Sequence, residues 1–214
     1  MEYLTDMAAK RAELTPGATA FVDHESGRSF SFCEINERAT RLGNLLLGRG
    51  LAKGDRMAVL CHNHPDFFVL LFAAQKTGIL LVPLNWRLAI PELEYILNHA
   101  VPRLLICDDE YFPAGEKLCG KGSPWTLCDH DHLAAGYQGG DYDGADPQAG
   151  LGSPMLLVYT SGTTGRPKGV VLTQEAVLFN ALNSVHMHDL DSTDHILTVL
   201  PMFHVGGLNI QTTP

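Results

Sequence analysis

The sequence predicts an α/β fold, with mostly parallel sheets and helical crossovers. Two observations carry this. Short apolar runs at 56–61, 79–83 and 104–107 alternate with helical patterns at 32–47, 66–76 and 91–98. The alternation then resumes after residue 153, where the apolar run Met155-Leu156-Leu157-Val158 opens into a glycine-rich loop.

The elements follow in order. Residues 19–23 and 29–32 read as two strands around a turn at Glu25-Ser26-Gly27-Arg28. From Phe32 to Leu47, apolar Ile35, Ala39, Leu42, Leu45 and Leu46 fall on one helical face, and Gly50 is a stop. The run 56–61 is a buried strand. An apolar helix over 66–76 ends near Gly78, and a strand at 79–83 follows. Pro91 opens a short helix to Asn98, as proline does at a first helical turn. Leu104-Leu105-Ile106-Cys107 is the next strand. Apolar content then falls over 108–153, which reads as a loop-rich connection. Beyond it come the strand and glycine loop, a strand at 170–172, a helix over 174–185 and a last strand at 196–200. The chain therefore divides into a first α/β stretch (1–107), the connection (108–153) and a loop-bearing stretch (154–214).

Composition bounds the function. The 214 residues are 45% apolar and 18% charged, enough for a substantial core. A net charge of −9 makes nucleic acid a poor partner, so a phosphate ligand has to be held by local donors. No run of 18 apolar residues exists, so no membrane span is expected, and the acidic N-terminus lacks a signal-peptide pattern. Cysteines 33, 61, 107, 119 and 128 are odd in number and never spaced Cys-x-x-Cys. They read as free thiols of a cytoplasmic protein. Cys61-His62-Asn63-His64, His130-Asp131-His132 and His186-Met187-His188 lack a second ligand pair at zinc spacing, and read as solvated loop or helix-end histidines.

The chemistry concentrates in Tyr159-Thr160-Ser161-Gly162-Thr163-Thr164-Gly165-Arg166-Pro167-Lys168-Gly169. Glycines let a backbone approach a polyphosphate closely, free N–H groups and hydroxyls donate to its oxygens, and a lysine adds a point charge. Walker A needs four residues between its glycines, followed by Gly-Lys-Ser/Thr, and this loop does not have that spacing. The stretch 115–122 comes nearer, but Gly122 stands where a magnesium-binding hydroxyl belongs. Thr160, Ser161, Thr163 and Thr164 suit the β- and γ-phosphates of a nucleotide. Lys168 either neutralises phosphate or lies in solvent on the way to the strand at 170–172, and Arg166 reads as surface charge.

Two further segments accompany the loop: Thr77-Gly78-Ile79-Leu80-Leu81-Val82-Pro83-Leu84-Asn85-Trp86-Arg87 and Leu200-Pro201-Met202-Phe203-His204-Val205-Gly206-Gly207. The three in this order resemble the adenylate-forming superfamily of acyl- and aryl-CoA ligases, luciferases and peptide-synthetase adenylation domains. The resemblance runs from about residue 15 to the end. It implies an enzyme that uses ATP and Mg2+ to activate a carboxylic acid as acyl-AMP and passes it to CoA. It implies that Thr160, Ser161, Gly162, Thr163, Thr164, Gly165 and Lys168 hold the triphosphate, and that Thr160 contributes to magnesium. It implies that His204 lines the acyl site and orients the carboxylate, with Gly206 and Gly207 leaving room beside it. The Phe-His pair favours the CoA-ligase branch. Asn85 and Arg87 read as structural, with a CoA-phosphate role for Arg87 as the alternative. The family's later Tyr-Gly-x-Thr-Glu segment, hinge and C-terminal domain with its lysine are not in these residues. The expectation is an N-terminal fragment that cannot complete adenylation alone. The alternatives are a non-catalytic binding scaffold of the same fold and an unrelated nucleotide hydrolase.

Overall fold

A computed structural model describes residues 6–120, 122–138, 149–161, 166–210 and 212–214. Strands β1 (Thr19–Val22) and β2 (Ser29–Ser31) form an antiparallel pair. The main sheet uses β3 (Arg56–Leu60), β4 (Leu80–Pro83), β5 (Leu104–Cys107), β6 (Thr126–Asp129), β7 (Pro154–Thr160) and β8 (Lys168–Thr173), in the order β6-β5-β3-β4-β7-β8. Every neighbouring pair is parallel except β7 with β8.

Alternation between two buried faces explains why the strands read as continuous apolar runs. Met57 and Val59 of β3, Leu104 and Ile106 of β5, and Leu156 and Val158 of β7 enter one core. Ala58 and Leu60, Leu105 and Cys107, and Leu157 and Tyr159 enter or line the other. A sheet covered on both faces leaves no polar side to alternate with. Helices α2 (Phe32–Gly48), α3 (Asp66–Thr77) and α6 (His130–Gln138) cover the first face, and α4 (Ile90–Ala100) and α5 (Phe112–Leu118) the second. Helices α1 (Met7–Leu14), α7 (Gln174–His188) and α8 (Val205–Leu208) complete the described elements.

Local chemistry sets the helix ends. Ser31 Oγ accepts from Glu34 N–H at 3.2 Å and Glu34 Oε2 accepts from Ser31 N–H at 2.8 Å, a reciprocal cap that starts α2. Gly78 ends α3 in the left-handed region at φ 71°. A Cβ there would also lie 2.8 Å from Lys53 Cγ.

Three expectations change. The span 108–153 contains α5, β6 and α6, so it is not simply loop-rich. Gly115 lets α5 lie close on the sheet, since a Cβ there would meet Leu127 Cδ1 at 2.7 Å and Cys107 Sγ at 2.8 Å. Contact by a glycine leaves no apolar stripe to read. Residues 196–200 form no strand. Their backbone has no ladder partner among the described residues, and Leu197 and Val199 are 76% and 73% exposed. The N-terminal helix α1 was not expected. Asp6 caps it by accepting from Ala9 N–H at 2.9 Å, and Lys76 Nζ reaches Asp6 Oδ2 at 2.6 Å.

All five cysteines are free. Burial pushes the Cys107 thiol up to about 12 and that of Cys61 further still. Native-state alkylation followed by peptide mapping is expected to modify half-exposed Cys33 and Cys119, and to reach Cys61 and Cys107 only after unfolding. Equal labelling of all four would contradict this packing.

Candidate nucleotide and acyl site

The glycine loop connects the two antiparallel strands β7 and β8. Thr160 and Lys168 stand opposite each other at its base. Both are exposed, as is Ser161. Gly162, Thr163, Thr164 and Gly165 lie outside the described residues. One register step back, Tyr159 faces Gly169, whose absent Cβ would lie 3.3 Å from Tyr159 Cζ and 2.9 Å from Leu157 Cδ1. The tyrosine ring therefore lies over bare backbone. Its hydroxyl is 2.7 Å from His99 Nδ1 on α4, which fixes the ring. Partial burial pushes the phenol up to about 12, so it stays a neutral hydrogen-bonding group.

The two companion segments meet at the same end of the sheet. Residues following β4 carry Trp86 and Arg87, and Phe203 packs edge-on against Trp86 with ring centroids 5.9 Å apart. The Arg87 guanidinium lies 4.4 Å over Trp86 and 5.7 Å from the Phe203 centroid. Asn85 Oδ1 accepts from Arg87 N–H at 2.9 Å, which shapes the turn leaving the strand.

A third loop, following β3, secures the arrangement. Asn63 Nδ2 donates to Leu200 O at 2.9 Å, and Asn63 Oδ1 accepts from Met202 N–H at 2.8 Å. His62 N–H donates to Asp108 Oδ2 at 2.9 Å, so the loops after β3 and β5 are also joined. The carboxyl ends of β3, β4 and β7 thus carry Asn63, Asn85 to Arg87, and Thr160. This is the edge where open parallel sheets bind ligands.

His204 caps α8. Its Nδ1 accepts the Gly206 N–H at 3.1 Å. That bond places the lone pair on Nδ1 and leaves Nε2 to carry the proton, so the exposed edge of the ring is a donor. Gly207, beside it, is buried, and a Cβ there would lie 2.3 Å from Pro201 O.

Sequence reasoning did not identify Asn63 or His99. An asparagine in a loop carries no pattern of its own. His99 sits on a helix whose relation to Tyr159 exists only in three dimensions.

Thr160 offers magnesium one hard oxygen, the donor type that ion prefers. A single hydroxyl fills one position of an octahedron otherwise taken by water, phosphate or carboxylate oxygens.

The chain is similar to known proteins over nearly its whole length. The indoleacetate–CoA ligase of Aromatoleum aromaticum is 38% identical over 219 residues, covering 99% of this chain and 42% of the relative. A Mycobacterium tuberculosis fatty acyl CoA synthetase superposes with a TM-score of 0.90 at 30% identity, over 100% of this chain and 43% of that one. The N-terminal domain of FACL13 from the same organism superposes with a TM-score of 0.88 at 30% identity, over 98% of this chain and 53% of that one. The chain thus spans about two fifths of the length of the full-length relatives. The profile of the AMP-binding enzymes matches residues 8–214, which takes in the glycine loop between β7 and β8 and the His204 segment that Asn63 holds at Leu200 and Met202, and the chain belongs to that family.

Proposed function

We propose that these residues form the triphosphate-loop and acyl-orienting part of an ATP-dependent acid–CoA ligase acting on an acyl or aryl carboxylate. One observation carries the reading: Asn63 holds the His204 segment at the strand edge where Thr160 and Lys168 close the phosphate loop.

A carboxylate does not transfer to a thiol directly, because its oxygen is a poor leaving group. Attack of the carboxylate on the α-phosphorus of ATP, with loss of pyrophosphate, makes AMP the leaving group. The chain's residues divide this task. Thr160, Ser161 and the loop N–H groups donate to phosphate oxygens, and Lys168 adds positive charge at the loop base. His204, with Nδ1 engaged, donates from Nε2 to the acyl carboxylate and turns its other oxygen toward phosphorus. Magnesium bound with ATP supplies charge neutralisation, and Thr160 is the hydroxyl that would meet it. CoA is the proposed acceptor.

The 214 residues provide a hydroxyl for magnesium but not the family's later glutamate, so they are proposed to be inactive alone. ATP–pyrophosphate exchange with a panel of aliphatic and aryl acids tests both parts. No exchange is expected from the 214 residues. Carboxylate-dependent exchange is expected from a longer form that contains them, reduced about 10²-fold by His204→Ala, the scale of a lost positioning contact. Robust exchange by the 214 residues would overturn the inactivity. ATP binding without exchange in the longer form would favour a binding scaffold.

A further inference from the structure

We propose that His64, Asp66 and His130 form a binding site for one divalent cation of the zinc type, separate from the nucleotide loop. His64 and Asp66 lie two residues apart, and His130 comes from a distant part of the sequence. His64 lies in the loop after β3, Asp66 is the first residue of α3, and His130 opens α6. One ligand atom from each lies within 4.8 Å of the others.

The spacing suits a small ion. Asp66 Oδ2 is 3.7 Å from His64 Nδ1 and 3.6 Å from His130 Nε2. A tetrahedral zinc about 2.0–2.2 Å from each ligand places those atoms roughly 3.3–3.5 Å apart, so the two separations to Asp66 need only a small closure. Both separations exceed a normal hydrogen bond, so neither imidazole closely satisfies this oxygen.

The surrounding groups orient the ligands. His130 Nδ1 lies 3.1 Å from Asp131 Oδ1, and a proton held between them leaves the Nε2 lone pair facing Asp66. Carboxylate–histidine pairs behind metal ligands do the same elsewhere. Arg38 Nη1 donates to Asp66 Oδ1 at 3.1 Å, and the Tyr137 hydroxyl hydrogen-bonds the same carboxylate. Asp66 is 2% exposed and His130 9%, so two of the three ligands are held inside the fold. The His64 side chain is 41% exposed and forms the open side. It accepts the Asp66 N–H at Nδ1 at 3.1 Å, a bond that the ion would replace. Water would complete the coordination.

The donor set decides the ion. Two imidazoles and one carboxylate already paired with Arg38 favour zinc, cobalt or nickel over magnesium or calcium, which prefer several oxygens. The site is therefore chemically distinct from the magnesium position proposed at Thr160.

The test is titration of the full chain with Zn2+ against a chromophoric chelator, and with Co2+ followed by visible absorption. One equivalent of Zn2+, a tetrahedral-type Co2+ spectrum and no competition from excess Mg2+ are expected. His64→Ala, at an exposed position, is expected to weaken binding at least tenfold with unchanged circular dichroism. Asp66→Asn, which keeps the shape, is expected to do the same. His186→Ala, on the distant helix α7, serves as the control and should leave binding unchanged. Absence of stoichiometric binding overturns the proposal. So does an affinity that His64→Ala leaves intact, since the ion would then sit on other histidines.

Discussion

Arg38→Ala, studied by chemical denaturation with a metal chelator present, is expected to lower stability by about 3–5 kcal/mol, the scale for removing one partner of a buried ion pair. The Arg38 and Asp66 side chains are 7% and 3% exposed and 3.1 Å apart. Asp66 also binds Tyr137, whose phenol burial pushes well above its usual range, with the neighbouring carboxylate adding to the shift. Without Arg38, a carboxylate remains charged inside the first core and faces Tyr137 and two imidazoles. Arg38 also lies 4.8 Å over the Phe30 ring, so the truncation removes packing as well as charge. The cost is therefore the charge left behind in the interior, not the attraction that is lost. Lys10→Ala tests that distinction. Its pair with Glu13 is exposed, and pairs of that kind contribute about 0–1 kcal/mol. Similar losses for both variants would show that the Arg38 site is wetter than its geometry implies.

Gly207→Ala is the second large expected effect, and it acts on the site directly. The added methyl would lie 2.3 Å from Pro201 O, 2.5 Å from Leu200 O and 2.6 Å from Pro201 C. All three atoms are backbone, so no rotamer change relieves the clash. Relief requires moving residues 200–201, the carbonyls that meet Asn63 Nδ2 and His204 N–H. A stability loss of about 1–3 kcal/mol is expected, the range for overpacking. A displaced His204 ring resonance in NMR spectra should accompany it. Gly206→Ala is the contrast. Its new methyl meets His204 Nδ1 at 3.2 Å and nothing closer, so a smaller loss is expected. Equal effects of the two substitutions would refute the backbone argument.

How much of this was legible in the sequence depended on what positions each element. Strands β3, β4, β5 and β7 were readable because both faces are buried, which makes their residues uniformly apolar. Helix α2 was readable from one apolar face. Helix α6 was not. Its buried positions, His130, Leu133, Ala134 and Tyr137, do follow helical spacing, but a histidine and a tyrosine mark that face, and a polar context hides it. The run 196–200 failed in the opposite direction. Its residues favour a strand, but strand propensity has no effect without a neighbour to pair with. At the site, the loop and His204 were visible as residue types. What holds the His204 segment was not, because it is one side chain 137 positions from its carbonyl partner.

That side chain also explains why the missing strand does not leave His204 unplaced. A primary amide has the same donor and acceptor as a peptide group. Asn63 takes one carbonyl and one N–H from alternate residues of a neighbouring segment, as a strand residue does across a parallel pair. It is a single surrogate rung supplied by a side chain, and it lets residues 200–202 register on the sheet edge without joining the sheet. Aspartate would match its shape but offers two acceptors, and leucine would offer neither group. The histidine's position is thus encoded by chemistry at residue 63 and is independent of whether 196–200 forms a strand.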